Sequence, residues 1–103
     1  MSRREQLEEM LQEDPNDPFL RYMLANELGK GDAAENEKAL EYYRGLMGDS
    51  PPYIPAFLIS AQLLQRLQRI DEAATVLRTG IEEARRQDEL HAASEMGELL
   101  AQL

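Results

Sequence analysis

Proline and glycine breaks between amphipathic stretches constrain the possible fold of this chain more than any other feature of its sequence. Asp14-Pro15, Gly29-Lys30-Gly31 and the segment from Gly48 to Pro52 each interrupt a stretch in which apolar residues recur every three or four positions. No stretch alternates between apolar and polar residues as a half-buried strand does. The sequence therefore predicts an all-α fold of about six helices, with short connections that place neighbouring helices antiparallel.

Capping residues mark where several of these helices begin. Asp17 precedes Pro18, an N-cap followed by proline at the first helical position, where a missing N–H has no consequence. Asp32 with Glu35 three residues later forms a capping box. The predicted segments are Ser2 to Glu13, Pro18 to about Leu28, Ala33 to Met47, Pro55 to about Leu67, Ile70 to about Arg86, and Asp88 to Leu103.

Composition narrows the class of protein and of partner. A length of 103 residues is typical of one domain, and 20 acidic against 11 basic side chains give a net charge of −9. The basic residues are scattered except at Arg3-Arg4 and Arg85-Arg86, so nucleic acid and anionic membranes are not expected partners. Without cysteine or a long apolar run, the expected location is the cytoplasm.

Reactive side chains form no recognisable catalytic or metal-binding pattern. His91 is the only histidine, and although Glu95 lies one helical turn away, a lone histidine on a helix is usually a surface or packing residue. Adjacent carboxylates such as Glu82-Glu83 point about 100 degrees apart on a helix and do not converge. The sequence therefore predicts no enzyme activity, no cofactor and no metal.

An internal repeat of 34 residues aligns Ala39 with Ala73 and Tyr43 with Leu77. A period of this length, built from two helices, resembles the tetratricopeptide repeat family. The first repeat closes at Pro51 after its small and aromatic positions, Ala39 and Tyr43. In the second repeat the family pattern falls on a longer set of large and small residues: Phe57, Ala61, Leu64, Ala73, Leu77 and Gly80.

The resemblance implies one domain spanning residues 1–103, a short α-solenoid of helix pairs. It implies a partial preceding repeat at 2–13, full repeats at 17–51 and 54–86, and a capping helix at 88–103. Small residues at helix crossings let the backbones approach, and larger residues fill the space beside them. The residues expected to be buried at the crossings are Ala39, Tyr43, Phe57, Ala61, Leu64, Ala73, Leu77, Ala93 and Leu100.

The same resemblance implies a non-catalytic adaptor that binds a protein or peptide on the concave face formed by the first helix of each repeat. We expect four apolar residues near the centre of that face, Tyr22, Met23, Leu58 and Ile59, with polar residues around them, which suits a partner with apolar anchors. The predicted binding residues are Phe19, Tyr22, Met23, Asn26, Leu58, Ile59, Gln62, Arg66, His91 and Glu95.

Two other interpretations stay open at this point. The helices could instead form a structural subunit or a self-associating module such as a homodimer, with the apolar face covered by Ser2 to Glu13 or by a second copy of the chain. One known ligand mode of the family is a clamp for acidic C-terminal tails. Of its polar positions only Asn26 fits, because Tyr22 and Ile59 stand where the clamp has lysine and asparagine. We therefore expect no binding of such tails.

Overall fold

The computed structural model describes residues 1–103, of which 77% are helical and none forms a strand. The prediction of an all-α fold of six helices that pack in adjacent pairs is confirmed. None of these helices is long and apolar enough to cross a membrane. The helices are α1 (Arg3–Glu13), α2 (Pro18–Leu28), α3 (Ala33–Met47), α4 (Pro55–Arg66), α5 (Ile70–Arg86) and α6 (Leu90–Gln102).

Side-chain caps explain where the first three helices begin. The Asp17 carboxylate accepts a hydrogen bond from the Leu20 N–H at 2.9 Å, and Asp32 forms the predicted capping box. Ser2 forms a second capping box, so α1 begins at Arg3, one residue later than predicted. These caps satisfy N–H groups that have no partner within the helix.

The sixth helix begins two residues later than predicted, at Leu90 rather than Asp88. The reason is local: Asp88 has φ 61°, a left-handed conformation that ends the preceding helix and cannot start a right-handed one. The Glu89 N–H then donates back to the Ala84 carbonyl at 2.7 Å. This bond closes the end of α5.

The chain divides into two compact units, Met1–Asp49 with α1 to α3 and Ser50–Leu103 with α4 to α6. The Ser50–Pro51 peptide bond at the start of the second unit is cis. The prediction that residues 1–103 form a single domain stays a prediction. Each unit is described by itself below.

In the first unit, neighbouring helices run antiparallel. Arg3 at the start of α1 forms an ion pair with Glu27 near the end of α2, with Nε and Oε1 3.2 Å apart. Arg21 near the start of α2 forms an ion pair with Asp49, just beyond the end of α3. Apolar side chains fill the interior of this unit: Leu7, Leu24, Ala25, Leu28, Ala39, Leu40, Tyr43 and Leu46.

In the second unit, a close helix crossing brings three helices together. A Cβ atom placed on Gly80 of α5 would lie 2.6 Å from the Met96 sulfur of α6 and 2.7 Å from Cβ of Phe57 in α4. The Gln87 amide after α5 donates to the Pro52 carbonyl before α4 at 2.9 Å, so α4 and α5 are antiparallel. Glycine at this crossing therefore permits a contact that any side chain would prevent.

Eight of the nine residues predicted to lie at helix crossings are buried, and that part of the burial prediction is confirmed. Leu100 is the exception, since it is only half-buried. Gly97, three residues earlier on α6, has no atom within 4 Å of the position of an added Cβ. This side of α6 is therefore incompletely covered, which leaves Leu100 partly exposed.

Candidate interaction surface

One side of α2 carries the four binding residues predicted in the first unit. Phe19, Tyr22, Met23 and Asn26 recur at i, i+3, i+4 and i+7, a spacing that places them on one side of a helix. Phe19 is 57% exposed, whereas the other three are half-buried. We call this side of α2 the Phe19 strip. It presents an exposed aromatic ring beside a methionine and ends at a polar amide.

Two of these residues also hold α2 against α3. The Tyr43 hydroxyl donates to the Asn26 amide oxygen at 2.6 Å, and the Tyr22 and Tyr43 rings meet edge to face with centroids 6.4 Å apart. Tyr43 is buried, so its hydroxyl needs a partner inside the protein. Asn26 is therefore oriented by the fold, and its oxygen is engaged within the unit.

The first helix contacts a different side of α2. Its Arg3 pairs with Glu27, and Leu11 lines a cleft together with Leu24. Phe19 keeps more than half of its surface exposed. The Phe19 side chain is therefore not covered by α1.

The second unit carries the other predicted residues, four of them on α4. Leu58 and Ile59 are half-buried, while Gln62 and Arg66 are exposed. Phe57, one residue before Leu58, is buried against α5 and α6. The predicted residues of α4 therefore lie away from the Phe57 side of the helix, at the surface of the unit.

His91 and Glu95 lie on α6 and interact with each other. The imidazole Nε2 is 3.2 Å from a carboxylate oxygen of Glu95, and the His91 side chain is 91% exposed. A surface pair at i, i+4 contributes little to stability and is ionic only when the histidine is protonated. No group of three or more histidine or acidic side chains is placed to hold a metal ion.

A cleft of about 330 Å³ in the first unit was not anticipated from the sequence. It lies where the second half of α1 meets α2 and α3. Its lining is mainly apolar, with one carboxylate: Glu8, Leu11, Gln12, Pro15, Leu24 and Tyr42. The amphipathic pattern of α1 carries no information on how completely this helix covers its neighbours.

Arg4 links α1 to the rest of this unit beside the cleft. Its guanidinium bonds Glu8 at 3.0 Å and forms an ion pair with Glu35 of α3. The hydrogen bond to Glu8 raises the pKa of Arg4 above its usual value; desolvation opposes this effect, and the attraction of Glu35 adds to it. Arg4 is thus a permanently charged contact between two helices.

The ten predicted binding residues are divided between the units, four in the first and six in the second. Within their own units, all ten keep part of their surface exposed. The sequence therefore located surface positions on α2, α4 and α6, although it did not reveal the structural role of Asn26. Comparison with family models, curated proteins and solved structures gives no match to this chain.

Proposed function

We propose that this protein is a non-catalytic module that binds a protein or peptide, built from helix pairs of the tetratricopeptide type. The observation that carries the proposal is the Phe19 strip. Phe19 is 57% exposed and lies one turn from half-buried Met23, on a helix whose other sides are packed against α1 and α3. Exposed apolar side chains next to polar ones are the usual anatomy of an interaction site.

Buried small residues support the repeat interpretation. Ala39 and Ala73, which the 34-residue alignment pairs, and Ala61, which the family resemblance places at a helix crossing, are fully buried. Stacked helical repeats present an extended surface that binds partners, rather than an enclosed catalytic pocket. The repeat supports a binding role, and the choice of family rests on the sequence pattern.

The chemistry of the Phe19 strip favours a partner with apolar anchors. An aromatic ring and a flexible thioether one turn apart accept a leucine-like or aromatic side chain of a helical or extended segment. A few such buried contacts supply most of the affinity in interfaces of this kind. Phe19 is therefore the residue expected to matter most.

The test is selection of binding peptides from a random displayed library, followed by affinity measurement on variants. Selected peptides should contain apolar anchors, and Phe19→Glu should weaken their binding by at least about tenfold. Met23→Glu and Ile59→Glu are measured separately, because they probe the two units one at a time.

The matched control is Thr79→Glu, which adds the same charge at an exposed position of α5. Circular dichroism must show unchanged helical content for every variant. The proposal fails if Phe19→Glu binds the selected peptides as tightly as the parent chain does, or if the selected peptides carry no apolar anchors.

A second candidate function, self-association, is favoured by a different observation. Leu90 on α6 is 62% exposed, and Gly97 two turns later has open space beside it. Such a side could pack against the same side of a second copy. Sedimentation velocity over a range of concentrations tests this function: a dimer that Leu90→Glu dissociates supports it, and a monomer at all concentrations excludes it.

A further inference from the structure

The first helix is held to its unit by few buried side chains. Leu7 is the only buried residue of α1, and Leu11 is half-buried. Met10 is 51% exposed. By contrast, α3 buries Ala39, Leu40, Tyr43 and Leu46. Because burial of apolar surface is the main force that fixes a helix to a domain, α1 is the most weakly fixed helix of this unit.

Two ion pairs add to this attachment, and both lie at one end of α1. Arg3 pairs with Glu27 of α2, and Arg4 pairs with Glu35 of α3. The two arginine side chains are 57% and 41% exposed. Exposed ion pairs are screened by dissolved salt, so this attachment weakens as the ionic strength rises.

The opposite end of α1 fits its neighbours loosely. Leu11 and Gln12 border the cleft of about 330 Å³, whose other walls include Leu24 and Tyr42. Asp14, Pro15 and Asn16 then connect α1 to α2. The second helix carries its own N-cap, the Asp17 carboxylate, and so begins without help from α1.

Contacts that do not involve α1 hold α2 and α3 together. They include the Tyr43–Asn26 hydrogen bond, the Arg21–Asp49 ion pair and the edge-to-face contact of the Tyr22 and Tyr43 rings. An isolated helix of 11 residues is marginal in water. Release of α1 would therefore unfold α1 itself while the α2–α3 pair survives.

We propose that α1 is a displaceable cover, latched by Arg3 and Arg4, that opens as a unit from a persisting α2–α3 pair. Opening widens the cleft and exposes the apolar surface that Leu24 and Tyr42 contribute to it. Local opening of this kind, below the free energy of global unfolding, is a known property of weakly packed segments. The device is distinct from the Phe19 strip, because no residue of the strip lines the cleft or pairs with Arg3 or Arg4.

Amide hydrogen exchange of the whole chain tests the proposal. Amides of α1 should exchange at least about tenfold faster than those of α2 and α3 after correction for intrinsic rates. Raising sodium chloride from about 20 to 500 mM should increase the exchange of α1 selectively, because the latch is screened over this range.

The latch variant is Glu27→Gln with Glu35→Gln, which removes both receiving charges and leaves the sequence of α1 unchanged. Glutamine at position 35 preserves the capping box of α3. Exchange in α1 should rise by about three- to tenfold and stay unchanged in α5. The matched control, Glu82→Gln with Glu83→Gln, makes the same charge change in the second unit and should leave α1 unaffected.

Three results would overturn the proposal. The first is exchange of α1 at the same rate as α2 and α3, which would make all three helices one cooperative unit. The second is fast exchange of α1 that responds neither to salt nor to the latch variant. The third is that high salt removes exchange protection from α2 and α3 together with α1. This measurement uses the parent chain, so it does not depend on whether any variant folds.

Discussion

Two residues adopt left-handed backbone conformations that end helices. Gln68 after α4 has φ 64°, and Asp88 after α5 has φ 61°. The next N–H then donates back into the helix, as Arg69 does to the Leu64 carbonyl at 2.8 Å. Side chains other than glycine are strained here by about 1–2 kcal/mol, and aspartate tolerates the conformation better than glutamine does.

At Gln68 this strain leads to a prediction. We expect Gln68→Gly to raise the free energy of unfolding by about 0.5–1 kcal/mol, because relief of strain exceeds the extra entropy that glycine loses on folding. Asp88→Gly should give a smaller gain. Urea denaturation followed by circular dichroism measures both. A destabilised Gln68→Gly variant would show that the glutamine side chain contributes more than its strain removes.

At the scale of the helix, two glycines have opposite surroundings. Gly80 of α5 faces Met96 and Phe57 so closely that an added Cβ would overlap both. Gly97 of α6 has no atom within 4 Å of the same position. Glycine is therefore required at one helical position and only weakens the helix at the other.

Alanine substitution should separate these two cases. Gly80→Ala is expected to lower the free energy of unfolding by about 1–3 kcal/mol, because the methyl group would force Phe57 and Met96 apart. Gly97→Ala should raise it by up to about 1 kcal/mol, because alanine favours the helix and meets no neighbour. Thermal and urea unfolding of the two variants measure these changes. Equal effects of Gly80→Ala and Gly97→Ala would contradict the close contact of Gly80 with Phe57 and Met96.

A fully buried alanine tests the same packing in a second place. Ala73 at the start of α5 has no exposed surface. Ala73→Leu should therefore lower the free energy of unfolding by about 1–3 kcal/mol through overpacking. If calorimetry shows the variant to be as stable as the parent, the assignment of Ala73 to a helix crossing is wrong.

At the scale of the whole molecule, the net charge of −9 bears on which ligands the protein can bind. Such a protein disfavours acidic ligands at all distances that salt does not screen. Tyr22 and Ile59 stand where the clamp of this family has lysine and asparagine. A clamp for an acidic C-terminal tail thus lacks both favourable charge and its expected cations.

We predict that peptides ending in acidic residues give no measurable binding in isothermal titration calorimetry at moderate salt. The physical reason is repulsion by the acidic surface together with the absence of a cationic clamp. Peptides of the same length with apolar anchors and neutral charge serve as the comparison. Low-micromolar affinity for an acidic tail would show that the acidic surface does not repel such peptides.

The features of the fold that are predictable from the sequence are those with a local cause. Asp17 and Asp32 cap their helices as predicted, and α2 and α3 have the predicted bounds. Capping depends on residues within one helical turn, and amphipathic periodicity depends on residues within a few turns. Both can therefore be predicted from the sequence. The predicted start of α6 was less accurate because the backbone conformation of Asp88 is not dictated by its residue type.

The sequence by itself determined the helices, the caps at Asp17 and Asp32, and eight buried positions at helix crossings, since each follows from short-range patterns. The tertiary structure alone decided that Tyr43 engages Asn26, that Arg4 reaches Glu35, and that α1 leaves a cleft. It also decided that Gly80 is enclosed while Gly97 is open. These outcomes depend on where one helix crosses another, and a shift of one turn at a crossing exchanges the partners while the local pattern stays the same.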